Sequence, residues 1–174
     1  MHMLAQPGAN NTKFSVIYND YCTINVIADS ILTKTEIDSF TAAIHAFIRH
    51  AYEHNLPHND LIVTVLAISS DVLSFSIADM PDTMGLSPNF VILPVHRWRN
   101  RNITNGGMMQ CVLEELCHKC WRIHEEDIVA YKVHEVFQYI VRGFKIENLY
   151  PASKYRPDLH EDLYAKAVML SSVP

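Results

Sequence analysis

The chain has 174 residues, of which 49% are hydrophobic and 19% are charged, and its formal net charge is −5. This composition suits a globular protein with a substantial core and argues against nucleic-acid binding through clustered positive charge. No apolar run reaches the length of a membrane span, and residues 1–7 lack the basic and apolar regions of a secretion signal. We therefore expect a cytoplasmic protein without a membrane or nucleic-acid partner.

We expect residues 1–174 to form a single domain, because no repeat, low-complexity tract or composition shift marks a boundary. Polar residues 1–12 predict a loose N-terminus. Residues 145–174 predict a C-terminal extension that ends in a helix over residues 158–170. Three of the four cysteines crowd onto one predicted helix at spacings that do not suit a disulfide framework, so we expect reduced thiols.

The N-terminal part of the chain predicts a hairpin followed by a long helix. Alternating apolar residues indicate strands at 14–18 and 23–27. Thr33 and Glu36 have the spacing of a capping box, in which each side chain bonds the other residue's backbone amide. Apolar residues then recur at helical spacing, which predicts a helix over residues 34–54.

The middle of the chain predicts most of a sheet. Residues 61–68 form a nearly continuous apolar and β-branched run, typical of a buried central strand. Residues 73–77 alternate and predict a strand, whereas the breaker-rich residues 80–88 predict a loop. Residues 89–95 return to a strand pattern, and Pro94 favours an edge position because proline cannot donate to a ladder. We therefore predict an α+β fold with a mixed sheet packed against the long helix.

A further helix, predicted at residues 107–123, carries the most informative chemistry. Glu114 and His118 are one turn apart on one face, so both can reach one metal ion, and Glu115 lies beside them. This Glu-Glu-Leu-Cys-His sequence resembles the His-Glu-x-x-His helix of zincin metallopeptidases, with Glu114 in place of the first histidine. The order of long helix, central strand, further strands and metal-site helix is also similar to that of the zincin domain.

The resemblance implies that Glu114 and His118 bind zinc and that Glu115 polarises the zinc-bound water. An anionic ligand at position 114 would raise the pKa of that water and weaken the nucleophile. The resemblance leaves the third ligand open between His124, at metzincin spacing, and an acidic residue of the next helix, Glu125 or Glu126. A rival set of zinc-type ligands, ranked lower because buried cysteines on a core stripe are commoner, is Cys117, Cys120 and His124.

The glycine of the metzincin pattern is replaced here by Trp121, which disfavours the version with His124 as third ligand. The next helix is predicted to continue to residue 142, with Gly143 as its C-cap. It carries His134 and Glu135, which are metal-capable but are expected to lie too far along to meet His118.

Two other segments attract attention. His50, His54 and His58 share an i, i+4 stripe, but Pro57 breaks the helix within it, so we expect the stripe to face solvent. The segment 97–101 is the one basic, aromatic-interleaved stretch, and it could track a nucleic-acid backbone or hold an acidic partner. The favoured interpretation is a solvated connection whose tryptophan covers the edge of the core; the candidate partner-binding residues are Arg97, Trp98, Arg99 and Arg101.

Two hypotheses for function follow. The first is a cytoplasmic zincin-like protein, a weak or inactive metallopeptidase that acts on or binds a peptide or protein. The second is a non-catalytic interaction protein that uses its cleft or the segment 97–101, and the small size of the chain would suit a phage or mobile-element protein. Zinc content separates the two hypotheses.

Overall fold

A computed structural model of the chain describes residues 12–19, 21–55, 63–70 and 89–169. These residues form an α+β fold, which confirms the predicted class. The strands are β1 (Lys13–Tyr18), β2 (Cys22–Ala28), β3 (Thr64–Ile68) and β4 (Phe90–Pro94). The helices are α1 (Lys34–Glu53), α2 (Val95–Asn100), α3 (Asn105–Cys120), α4 (Glu126–Phe137), α5 (Ala152–Tyr155) and α6 (His160–Met169). Two short 3₁₀ turns span Ile146–Asn148 and Pro157–Leu159.

The four described strands form one mixed sheet in the order β1-β2-β3-β4. β1 and β2 pair antiparallel, as the predicted hairpin requires, whereas β2–β3 and β3–β4 are parallel. The strand predicted at 61–68 is confirmed from Thr64 onward, and its first two residues lie outside the described part. β4 ends at Pro94 on an edge of the described sheet, as expected. The strand predicted at 73–77 and the loop predicted at 80–88 also lie outside the described residues.

The long helix α1 begins at the predicted capping box. The Thr33 amide donates to Glu36 Oε2 (2.7 Å), and the Glu36 amide donates to Thr33 Oγ1 (3.2 Å). Arg99 adds a second tie, because its Nε donates to Glu36 Oε1 (2.7 Å) and its Nη2 donates to Glu36 Oε2 (2.9 Å). The start of α1 is therefore fixed to the α2 helix that follows the edge strand.

The two later helices end earlier than the sequence predicts. α3 stops at Cys120 rather than at residue 123, because Arg122 adopts a left-handed conformation with φ 56° that terminates the helix. α4 stops at Phe137 rather than at residue 142, and Gly143, with φ 76°, lies in the turn beyond it. The Gln138 amide supports that turn, because its Oε1 accepts from the Gly143 amide and its Nε2 donates to the Phe144 carbonyl.

One buried cluster of apolar side chains connects the sheet with α1, α3 and α4. α6 belongs to the same core, because Leu163 and Ala167 are buried and the helix packs against α4. The C-terminal extension predicted at 145–174 therefore contributes to the core as far as it is described. Among the described residues, no helix combines the length and the apolar character that crossing a bilayer requires.

We expect Glu36→Ala to lower the free energy of unfolding by about 2–3 kcal/mol, because it removes half of the capping box and leaves Arg99 without its bidentate partner. Burial acts to raise the pKa of Glu36, but hydrogen bonds from Arg99 and Thr33 outweigh it, so the pKa is lowered. This stabilisation is therefore present above the unfolded-state pKa and is lost as pH falls below it. Denaturant unfolding at neutral and acidic pH measures both effects.

The matched control is Asp38→Ala on the same helix, since the Asp38 pair with Lys34 is exposed and should contribute no more than about 0.5 kcal/mol. Equal losses in the two variants would contradict a special role for the buried carboxylate.

Candidate functional site

Helix α3 places two of the predicted ligands as the sequence suggests. Glu114 and His118 stand one helical turn apart within Asn105–Cys120. His118 Nδ1 lies 2.6 Å from the Ile123 carbonyl oxygen, which can only accept, so Nδ1 carries the proton. The other ring nitrogen, Nε2, lies 3.4 Å from Glu126 Oε1 at the start of α4. The carbonyl fixes the ring and leaves Nε2 as the nitrogen with a free lone pair.

A lysine ammonium occupies the space among the predicted ligands. Lys154 Nζ, from α5, lies 3.4 Å from Glu114 Oε1 and 3.3 Å from Glu126 Oε2. It also lies 5.5 Å from the centre of the Tyr150 ring, and Gln110 donates to the same Glu114 oxygen (3.1 Å). The two carboxylates therefore share one cation of the chain itself.

The remaining predicted site residues are more exposed than Glu114 and His118. His124 and Glu125 are exposed in the segment between α3 and α4. Glu115 is also reached by solvent, although partial desolvation raises its pKa. Within the described part of the chain, no group of three ligand atoms lying within 4.8 Å of one another includes a predicted ligand. Cys117, Cys120 and His124, the rival set, do not form such a group among the described residues either; Cys117 is completely buried whereas His124 is exposed.

Two of the predicted partner-binding residues serve the fold instead. Trp98 is only 4% exposed and packs on Phe40, with ring centroids 5.4 Å apart, so it has no face to offer a partner. Arg99 is committed to Glu36. Burial of Trp98 agrees with the favoured interpretation, in which it covers the edge of the core, and partner binding stays a prediction for Arg97 and Arg101, which are exposed on α2 and at its end.

A second cluster of metal-ligating groups lies between α1 and α4. Glu135 Oε1 is 3.0 Å from His50 Nε2 and 3.7 Å from His54 Nε2. The two imidazole rings stack, with centroids 4.0 Å apart. One ligand atom from each of the three residues lies within 4.8 Å of the others, so this group could hold a metal ion.

The charge of Glu135 is balanced by a buried lysine. Lys132 is 0% exposed; its Nζ donates to Glu135 Oε2 (2.9 Å) and to the Ala167 carbonyl (3.2 Å). Burial acts to raise the pKa of Glu135, but the contacts with His50 and Lys132 outweigh it and hold that pKa at about 2. Burial lowers the pKa of both His50 and Lys132, which disfavours their charged forms.

The solvent-exposed histidine stripe predicted from the sequence is wrong at His50, which is completely buried, and only partly right at His54, which is half-buried. His58 lies outside the described residues. The apolar face of α1 turns inward, and His50 lies on it beside Phe47 and Ala51, both buried. That shared periodicity was the signal that could have identified His50, whereas its pairing with Glu135 depends on how α1 and α4 pack.

Comparison of the chain with protein-family models, with curated proteins and with solved structures gives no match.

We expect Glu135→Gln to destabilise the protein by about 3–5 kcal/mol at neutral pH, because Lys132 would be left buried without a counter-charge. A carboxylate whose pKa is depressed from 4.5 to about 2 stabilises the fold above pH 4.5, and this stabilisation is lost as pH falls toward 2. The natural chain should therefore lose stability more steeply than the variant over that interval. Urea unfolding at a series of pH values measures the difference, and parallel curves would contradict it.

Proposed function

We propose that this chain is a zincin-like protein that binds a peptide or protein and has weak or no peptidase activity in its isolated state. The proposal is supported by the Glu114–His118 pair on α3 and by the acidic residue, Glu126, that the next helix brings to His118. The carbonyl that fixes the His118 ring gives further support, because such second partners accompany metal-binding histidines.

The single observation that supports weak or absent peptidase activity is the position of Lys154. Its ammonium lies within 3.4 Å of both Glu114 and Glu126, where it supplies positive charge without an open coordination position. An ammonium cannot lower the pKa of a water as a bound zinc ion does. For zinc to enter, Lys154 must leave both carboxylates.

The Lys154 side chain is 36% exposed, so its ion pairs are weak enough for a metal ion to displace. The metal we propose for this site is zinc, because imidazole and carboxylate ligands suit it. Zinc bound there would have an anionic ligand, Glu114, in place of a neutral imidazole, and its water would remain a poor nucleophile at neutral pH. Weak binding of zinc and slow hydrolysis are thus two consequences of one site.

A second function, binding of an acidic partner, is favoured by Arg97 and Arg101. They lie one helical turn apart, and both are exposed beside the end of the edge strand β4. Paired guanidinium groups at this spacing suit carboxylates.

We expect Lys154→Met to raise zinc affinity at the predicted site by roughly tenfold, because the competing ammonium is removed from two carboxylates. Isothermal titration of untagged, metal-stripped protein measures the affinity, and the heat lost in His118→Ala identifies this site. Lys166→Met, which removes an exposed lysine from α6, is the control.

We further expect peptide hydrolysis to appear in the double variant Glu114→His, Lys154→Met, because it restores the neutral ligand and clears the site. Adding Glu115→Gln should abolish the gained activity and keep the metal. Tight zinc binding with rapid hydrolysis by the natural chain would contradict the proposal.

A further inference from the structure

His50, His54 and Glu135 have the spacing of three ligands around one ion. Ligands about 2.0–2.1 Å from a tetrahedral zinc ion lie roughly 3.3 Å from one another. The two measured separations from Glu135 Oε1, 3.0 Å to His50 Nε2 and 3.7 Å to His54 Nε2, bracket that value. Because the two imidazole rings stack, the His54 ring must also turn for all three atoms to face one metal.

His50 supplies an independent reason to expect a ligand. Its side chain is completely buried, and within the described residues neither ring nitrogen has an aligned hydrogen-bond partner. The 3.0 Å contact with Glu135 brings the atoms close without that alignment. Buried polar atoms without a partner are rare and costly, and a metal ion on Nε2 would satisfy one of them.

Neighbouring groups orient two of the three candidate ligands, His54 and Glu135. His54 Nδ1 lies 2.8 Å from the His50 carbonyl oxygen and must donate to it, so the lone pair of His54 is on Nε2, the atom nearer Glu135. Lys132 holds the second carboxylate oxygen, Oε2, and leaves Oε1 for the metal. Carbonyl-bound imidazoles and hydrogen-bonded carboxylates are the usual neighbours of metal ions in proteins.

We propose that His50, His54 and Glu135 form a binding site for zinc, or a similar transition-metal ion, that cross-links α1 to α4. Two imidazoles and one carboxylate suit zinc better than magnesium. The ion enters on the side of His54, the more exposed histidine, whose ring turns out of the stack to direct Nε2 at the metal. Solvent water completes the coordination on that side. The site is separate from the predicted zincin residues and does not depend on their function.

The test uses untagged, metal-stripped full-length chain. One equivalent of zinc chloride should raise the thermal midpoint by several degrees, because the ion binds the folded state and not the unfolded one, whereas magnesium chloride should have no effect. His54→Ala should abolish the shift and weaken zinc binding by on the order of 100-fold or more. Since His54 is only half-buried, this variant should fold, as circular dichroism can verify.

Two control variants and a cobalt spectrum separate this site from other possible zinc sites. His45→Ala removes an exposed imidazole from the same helix, and His118→Ala removes the predicted zincin ligand; both should keep the shift. Cobalt in place of zinc should give a spectrum without the intense thiolate charge-transfer band that ligation by Cys117 or Cys120 would produce.

Three results would overturn the proposal: no zinc-induced shift in the natural chain, an undiminished shift in His54→Ala, or a shift that His118→Ala alone abolishes.

Discussion

A largely desolvated carboxylate between α1 and α4, that of Glu135, constrains how these helices pack. Glu135 cannot be removed from water as an anion unless positive or polar groups surround it. The chain supplies the Lys132 ammonium from the same helix and, from α1, places the His50 imidazole 3.0 Å from the carboxylate. α1 and α4 must therefore pack in the register that brings these groups together. Trp121 covers them, because its indole lies edge-on to His50 and beneath the Lys132 ammonium. Apolar side chains alone would let α1 and α4 pack in several registers, whereas the contacts of Glu135 are compatible with few of them.

Much of the fold followed from local patterns, because each pattern reports an interaction between residues close in sequence. The Thr33–Glu36 capping box located the start of α1, and strand alternation located the hairpin. The ends of α3 and α4 could not be predicted in the same way. Arg122 adopts a left-handed conformation without being glycine, and Gln138 turns the chain through bonds to residues 143 and 144. Neither helix end is marked in the sequence by a break in apolar periodicity.

The same distinction applies to the two candidate sites: spacing within one helix was predictable from the sequence, whereas packing between helices was not. Glu114 and His118 were predictable because a helix fixes their separation, but Lys154 comes from a short helix whose position depends on the C-terminal part of the fold. His50 and His54 were also a recognisable pair on one helix face. Their interpretation required Glu135, which is far away in sequence and meets them only through helix packing. Sequence spacing thus paired Glu114 with His118 and His50 with His54, although the histidine pair was assigned to solvent, and tertiary structure supplied the group that decides the chemistry of each cluster.

The turn between α3 and α4 joins the two clusters. Trp121, where the metzincin pattern has glycine, has φ −92° and so needs no glycine; the left-handed position falls one residue later, at Arg122. The Trp121 side chain then packs on Phe47 and covers the second cluster, while the Ile123 carbonyl of the same turn fixes the His118 ring. The tryptophan that weakens the resemblance to metzincins is therefore the residue that closes the buried cluster. Because one turn positions both His118 and the wall around His50, a change in its path would alter the two clusters together.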